Sequence, residues 1–158
     1  MKTFIKEKNL IREYYRTLDN SDVDKIADVL FNFTAKDYLW RAFHPFNLQT
    51  DVRVVTEMFW EPFRKSVRHL RRRMDVFFAG ENVIDDGASV WVCSMGHLMG
   101  LFDQHWLGIN PTGKIVMLRY AEFHKVENGK ISETAFYFDI PHLMIQAGYQ
   151  PFKDATAM

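Results

Sequence analysis

The chain has 158 residues and carries 20 basic and 20 acidic side chains, so its formal net charge is zero. This length is typical of one domain, here residues 1–158, and the charge balance gives no reason to expect binding to nucleic acid or to an anionic membrane. The single cysteine, Cys93, excludes an internal disulfide. No apolar run approaches the roughly 20 residues of a membrane span, so we expect a cytoplasmic protein.

Helical patterns occupy the first part of the chain. Apolar residues near helical spacing predict an amphipathic helix over 3–19 and a short helix that begins after the cap residues Ser21 and Asp22. A third helix is predicted over roughly 51–68. Pro62 is expected to kink or divide it, because proline has no N–H to donate.

Residues 33–50, between the second and third helices, are rich in aromatic side chains and are predicted to be irregular. Trp40 and His44, with Arg41 between them, could form a lid that excludes water or grips an anionic group of a ligand. The alternative is a hydrophobic plug for one end of the fold.

Strand patterns follow, and a short helix is predicted from His142 to Ala147. The strands are expected at about 70–79, 81–84, 88–102, 115–126 and 130–140. Helices first and a long antiparallel sheet afterwards predict an α+β fold. The strand over 88–102 lacks clean alternation, which favours a sheet covered on both faces. Because the helices can cover only one face, we expect a homodimer through the other.

Asn128-Gly129 is a strong signal for a two-residue hairpin loop between the last two strands. With that loop, alternation gathers polar and titratable side chains on one face: Tyr120, Glu122, His124, Glu133, Tyr137 and Asp139. The opposite face receives Arg119 and four candidate dimer contacts, which are Met117, Phe123, Phe136 and Phe138. A turn longer by one residue would change which side chains share a face.

Asp139 ends an aromatic run over 136–138 and lies just before Pro141. Aromatic walls disfavour an unpaired carboxylate, which makes Asp139 a candidate general base. The alternative is an N-cap for the following helix, with Pro141 in its first turn. His97, in the longest strand, either lines a ligand pocket or is a satisfied histidine of the sheet.

Several motifs of the second half resemble the SnoaL-like polyketide cyclases of the nuclear-transport-factor-2-like superfamily. They are Gly96-His97, GINPTGK over 108–114, EFHKV over 122–126, NGKI over 128–131, and Asp139 followed by Gln146-Ala147-Gly148. The resemblance implies a cystatin-like cone, in which a curved antiparallel sheet packs against N-terminal helices around a ligand pocket.

The same resemblance implies an intramolecular aldol condensation of a small hydrophobic or polyketide-like molecule, without metal or other cofactor. Asp139 would be the general acid/base, and His124 is the nearest match to a pocket histidine. Tyr120, Tyr137 and His124 would hydrogen-bond the enolate or aldol oxygen, and the remaining candidate pocket residues are Glu122, His97, Trp40 and His44. Because the superfamily also contains non-catalytic binders, a ligand-binding module and a purely structural homodimer are alternative hypotheses.

Overall fold

The computed structural model describes residues 2–153. Its helices are α1 (Ile5–Asn20), α2 (Ile26–Phe33), α3 (Val52–Val55), α4 (Glu61–Ser66) and α5 (Ile140–Gln146). Helix α1 buries Ile11, Tyr14, Tyr15 and Leu18, which recur at helical spacing on one side. Within residues 2–153, no helix has both the length and the apolar character needed to cross a membrane.

The strands form one mixed sheet of six. They are β1 (Thr34–Arg41), β2 (Leu48–Gln49), β3 (Val67–Glu81), β4 (Val90–Phe102), β5 (Lys114–Glu127) and β6 (Lys130–Phe138). Their order is β2-β1-β6-β5-β4-β3, and β1 runs parallel to β6 while all other neighbours are antiparallel. The predicted α+β class is confirmed, with one parallel pair that the sequence did not indicate.

Two strand predictions were wrong. Residues 33–50, expected to be irregular, contain β1 and β2, because Tyr38 and Trp40 lie two residues apart on a strand and both reach the core. The separate strand expected over 81–84 is instead the end of β3 followed by a 3₁₀ turn, Val83–Asp85.

The third predicted helix changes type inside one continuous helical segment. Helix α3 runs into a π-helical turn, Thr56–Trp60, and then into α4. Pro62 lies in the first turn of α4, and its missing N–H leaves a carbonyl of the preceding turn without its usual donor. The irregularity therefore comes before Pro62 and not as a kink at it.

Aromatic rings fill the space between the helices and the inner face of the sheet. The ring centroid of Phe59 lies 4.8 Å from that of Phe138 and 5.3 Å from that of Phe136. The same buried cluster includes Trp40, Phe46, Trp60, Phe63 and Trp106. Ring pairs at such distances stabilise a core beyond the effect of buried area alone. Side chains thus occupy the inside of the cone.

A β-bulge at Ser132 sets the register of the β5–β6 hairpin. The loop at Asn128-Gly129 is confirmed, since Glu127 faces Lys130. Lys125 then faces Glu133, which leaves Ser132 as an extra residue. From there on, β6 is shifted by one residue relative to a regular hairpin.

This shift overturns the prediction of a single polar face. Tyr120 faces Phe138 across the strands, and not Tyr137. Phe136 and Phe138 therefore point inward and are buried, so they are not available as the expected dimer contacts. Tyr137 and Asp139 belong to the outer face, together with Arg119.

The outer face of β3–β6 carries side chains in cross-strand rows. One row joins Phe78, Cys93 and Phe123, the next joins Val76, Met95, Ala121 and Tyr137, and a third joins Arg73, His97 and Arg119. Met95 is 49% exposed, so within one chain the outer face is uncovered, and its cover by a second copy stays a prediction. The first two rows, which we call the apolar rows, form an exposed hydrophobic surface.

Candidate functional site

Polar and charged side chains from β3, β4, β5 and the residue after β6 meet on the outer face. Arg119 faces His97 across the β4–β5 pair. On its other side, the Arg119 carbonyl accepts a hydrogen bond of 3.0 Å from the backbone N–H of Asp139. Since neighbouring strands lie about 4.8 Å apart, these groups stand side by side. We call Asp75, His97, Arg119 and Asp139 the outer row.

Asp75 reaches this row through a second bulge. It is the extra residue of β3 opposite the step from Met95 to Gly96 on β4. Its Oδ2 lies 3.4 Å from Nδ1 of His97. The strands approach so closely here that a Cβ at position 96 would stand 1.9 Å from the carbonyl oxygen of Arg73. Glycine at position 96 is therefore what allows the bulge to direct a carboxylate to the histidine.

Helix α5 fixes the position of Asp139. The backbone N–H of His142 donates to Oδ1 of Asp139 at 2.9 Å, which confirms the interpretation of Asp139 as a helix N-cap. Later in α5, the Gln146 side chain accepts from Met117 N at 2.9 Å and donates to Met117 O at 2.7 Å. Within residues 2–153, Oδ2 of Asp139 accepts no hydrogen bond. The cap therefore leaves one carboxylate oxygen available to a ligand.

A groove of 360 Å³ runs along the outer row. All four members of the row line it, together with Met95, Ala121 and the exposed ring of Tyr137. Apolar walls with a few convergent polar groups are typical of small-molecule sites. In the part of the chain that the structure describes, no three His, Cys, Asp or Glu side chains gather closely enough to hold a metal ion.

On the inner face, a buried polar cluster joins β3 and β5 to α1. Arg72 Nε lies 2.8 Å from Asp19 Oδ2, and its Nη1 lies 2.9 Å from Glu122 Oε2. Burial lowers the pKa of Arg72, but the two carboxylates outweigh it and hold the pKa well above its ordinary value. Burial alone would raise the pKa of Glu122. Arg72 and His124 outweigh the effect of burial and hold the pKa of Glu122 below its ordinary value. The cluster therefore keeps a charged group in the core.

His124 belongs to this inner cluster and is fully buried. Its Nε2 lies 2.9 Å from the Tyr15 hydroxyl, and its Nδ1 lies 2.9 Å from the Thr134 hydroxyl. The hydroxyl of Tyr120 pairs in the same way with Ser94, at 2.8 Å. Both ring nitrogens of His124 thus have protein partners, and the sheet separates the ring from Asp139.

The candidate residues from the sequence are therefore divided between the two faces. His97, Tyr137 and Asp139 line the outer groove, whereas Tyr120, Glu122 and His124 point inward.

Trp40 is buried in the ring cluster, while His44 is exposed in the turn after β1. The structure therefore does not bring Trp40 and His44 together as a lid. Their neighbour Arg41 forms an ion pair with Glu133 instead.

Sequence reasoning missed three residues of these two clusters. Arg119 was expected on the face opposite Asp139, an error that follows directly from the bulge at Ser132. Arg72 belongs to the run Arg71-Arg72-Arg73, whose charge is typical of a solvated strand edge, yet its side chain is 3% exposed. Alternation along β3 had already separated Arg72 from its two arginine neighbours, and that signal could have identified it. Asp75 carried no such signal, because a bulge in β3 is not visible in its sequence.

Comparisons with known proteins identify the fold through similar structures and not through a similar sequence. No model of a known protein family matches the sequence, and no curated protein matches it. A candidate SnoaL-like polyketide cyclase from Jannaschia sp. CCS1 has a TM-score of 0.70 at 16% identity, covering 96% of this chain and 99% of that chain. AclR, a candidate hydroxylase from Streptomyces galilaeus, has a TM-score of 0.70 at 17% identity, covering 94% and 89%.

An NTF2-like protein from Burkholderia thailandensis E264 has a TM-score of 0.61 at 16% identity, and the match covers 95% of this chain and 100% of that chain. All three matches therefore extend over nearly the whole of the chain. At these identities the likeness concerns the fold. The chain has the cone-shaped α+β fold of the SnoaL-like and NTF2-like structures, as its motifs predicted.

Proposed function

We propose that this protein is a cofactor-free enzyme that carries out acid/base chemistry α to a carbonyl group of a small hydrophobic molecule. The observation that carries the proposal is the outer row, in which a carboxylate, a guanidinium and an imidazole border one apolar groove. These are the group types that proton abstraction from carbon needs: a base, a cation for the enolate oxygen and a proton donor.

In this proposal Asp139 is the general base. Its carboxylate takes the proton from the carbon next to the carbonyl, so a C–H bond breaks and an O–H bond forms. The electron pair of the C–H bond forms the C=C bond of an enolate, the π pair of the carbonyl moves onto its oxygen, and the guanidinium of Arg119 stabilises this oxyanion. Because the cap holds Asp139 on one oxygen only, the base is fixed in place without losing its second oxygen.

An aldol-type ring closure is the form of this chemistry that the resemblance to SnoaL-like cyclases suggests. The enolate carbon attacks a second carbonyl of the same molecule, a C–C bond forms, and the new alkoxide takes back one proton. Asp139, now protonated, would return this proton, either directly or by passing it to His97 beside Asp75 as His97 protonates the alkoxide. Isomerisation or dehydration would use the same first step, and binding without turnover is the alternative function.

The outer groove is favoured over the inside of the cone because aromatic rings occupy the inside. His124, the other predicted catalytic residue, has protein partners on both ring nitrogens. A catalytic role for His124 stays a prediction, and it requires the core to open. Asp139 needs no such opening, because it lines a groove that is already accessible.

We also propose a homodimer centred on the row of Phe78, Cys93 and Phe123. Phe78 is 55% exposed and Phe123 is 37% exposed, and they lie on the same cross-strand row. Exposed apolar surface of this kind marks interaction sites. Contact centred on the row of Phe78 and Phe123 would leave the outer row and its groove at the rim of the interface, where small molecules can still enter.

Deuterium exchange tests the proposed function without knowledge of the natural substrate. The probe is 2-tetralone in D₂O, whose α-protons are lost by enolisation and whose signals are followed by proton NMR. We expect the protein to accelerate this exchange above the buffer rate, and Arg119→Gln to reduce the acceleration about 10²-fold or more. Arg71→Gln, which removes an exposed arginine of the same sheet, is the matched control and should change little.

Either of two results would refute the enzymatic proposal. One is exchange no faster than in buffer with this probe and with ethyl acetoacetate, a more acidic carbonyl compound. The other is an equal loss in Arg71→Gln and Arg119→Gln, which would indicate a general charge effect. Saturable binding of the probes without exchange would favour the alternative of a binding module.

A further inference from the structure

A second, larger groove of 730 Å³ lies on the other side of the molecule, between α2, β1 and α3. It adjoins an interruption in the pairing of β1 with β6. Thr34 faces Ile131 and Leu39 faces Glu133, so residues 35–38 of β1 lie opposite a single residue of β6. The regular pairing of β1 with β6 is interrupted there, and Ala35, Lys36 and Tyr38 of this stretch line the groove.

Two cations without acidic partners line this groove. Lys36 and Arg53 are both exposed, and within residues 2–153 neither forms an ion pair. Asp51 also lines the groove, but its Oδ1 accepts a hydrogen bond of 2.8 Å from the backbone N–H of Arg53 as the N-cap of α3. The three side chains leave one net positive charge at the rim, which attracts an anionic group.

The rest of the lining suits an apolar body. Phe31 is 74% exposed at the rim, an unusual position for so large a ring, and the partly buried Val52 lies nearby. At the floor is Tyr38, whose pKa is raised by burial, with the Thr134 side chain partly offsetting the rise. Tyr38 is 3% exposed and belongs to the hydrophobic core, so it closes the groove from below.

We propose that this groove binds a small monoanion with an aromatic or similarly apolar body, such as an aromatic carboxylate or sulfonate. Lys36 and Arg53 hold the anionic group at the rim, and the apolar body lies against Phe31 and Val52 with its far end toward Tyr38. This binding site is separate from the outer row and does not depend on the proposed reaction there. It gives the protein two ligand sites on opposite sides of the sheet.

The test uses two fluorescent probes that share an aromatic body. 1-Anilinonaphthalene-8-sulfonate carries the anionic group, and N-phenyl-1-naphthylamine is its neutral counterpart. The double variant Lys36→Gln/Arg53→Gln should bind the sulfonate roughly 3- to 30-fold more weakly, because each exposed ion pair contributes modestly. It should bind the neutral probe within twofold of the unmodified protein.

Two further variants test whether the probes bind in this groove and not elsewhere on the surface. Lys6→Gln/Lys25→Gln removes two exposed lysines that do not line the groove and should leave both affinities unchanged. Thr50→Trp, at an exposed position of the lining, should weaken both probes by filling the space. The proposal is overturned if the unmodified protein shows no saturable sulfonate binding, or if Lys36→Gln/Arg53→Gln and Lys6→Gln/Lys25→Gln weaken it equally. It is also overturned if Thr50→Trp has no effect.

Discussion

Asp139 is the N-cap of α5 and the proposed general base, and a single substitution can separate these two roles. As an N-cap it needs only a side-chain oxygen to accept from the backbone of α5, and asparagine provides one as well as aspartate does. As a base it needs a titratable carboxylate, which asparagine lacks. Any loss of activity in Asp139→Asn at unchanged stability is therefore attributable to proton transfer.

The cap itself gives the first stability prediction. Asp139→Ala removes the acceptor from the N-terminus of α5 and should lower the free energy of unfolding by about 1 kcal/mol, while Asp139→Asn should change it by less than about 0.5 kcal/mol. Urea unfolding of both variants at pH 7 provides the measurement. Equal losses in the two variants would show that the carboxylate stabilises the fold by its charge, and would remove Asp139→Asn as a clean probe.

Glu122 gives a pH-dependent prediction. Its pKa in the folded protein lies below the ordinary value of 4.5, so its contribution to stability is complete above that pH and is lost as the pH falls below it. Glu122→Gln leaves the buried Arg72 with one carboxylate fewer and should cost about 3–5 kcal/mol at pH 7. The difference between variant and unmodified protein should shrink as the pH falls below 4.5.

Urea unfolding between pH 7 and pH 3.5 would follow this difference, with the exposed Glu57→Gln as the matched control. A difference between Glu122→Gln and the unmodified protein that stays constant over the whole range would mean that Glu122 does not titrate with folding. The buried ion pair would then have to be described differently.

At the scale of elements, regular patterns were readable from the sequence and irregular pairing was not. The amphipathic face of α1, the loop at Asn128-Gly129 and the succession of strands β4, β5 and β6 follow from apolar spacing and turn chemistry. The bulge at Ser132 left no such signal, because an extra residue in a strand changes neither composition nor propensity. Yet it decides which side of the sheet Asp139 occupies.

Three of the eight candidate site residues, His97, Tyr137 and Asp139, do meet at one groove. They meet because the bulge at Ser132 places Tyr137 and Asp139 on the outer face, where the bulge at Asp75 also brings a carboxylate to His97. Alternation alone could not indicate either bulge. The inward residues Glu122 and His124 were correctly associated with one another, since they lie two residues apart on one strand.

The bulge at Asp75 can be tested through Gly96. Gly96→Ala would place a Cβ 1.9 Å from the Arg73 carbonyl oxygen, so β3 and β4 must move apart. We expect a loss of about 2–3 kcal/mol in the free energy of unfolding, in the upper range for overpacking. Gly80→Ala is the matched control on β3, because no atom lies within 4 Å of the added Cβ. It should be neutral or slightly stabilising.

Both variants can be measured by urea unfolding under identical conditions. A Gly96→Ala protein as stable as Gly80→Ala would show that the two strands are not held as closely as the structure has them. The close approach of β3 and β4, which we infer to direct Asp75 toward His97, would then be disproved.

At the scale of the whole molecule, the exposed apolar rows make self-association the natural expectation. Phe123→Asp and Phe78→Asp each introduce a charge into a surface that the proposed dimer buries, so we expect monomers in sedimentation velocity at micromolar concentration. Phe31→Asp, on helix α2 and away from the sheet face, should leave the dimer intact. A monomeric unmodified protein would disprove the dimer.

The central claim is that chemistry takes place at the outer row and not inside the cone. The most direct measurement is the deuterium exchange of 2-tetralone with Asp139→Asn and with His124→Gln, each corrected for the fraction of folded protein. Loss of a general base typically costs about 10²- to 10⁴-fold in rate, and we expect a loss of this size in Asp139→Asn alone. A loss confined to His124→Gln, with Asp139→Asn as active as the unmodified protein, would contradict the claim and move the site to the interior.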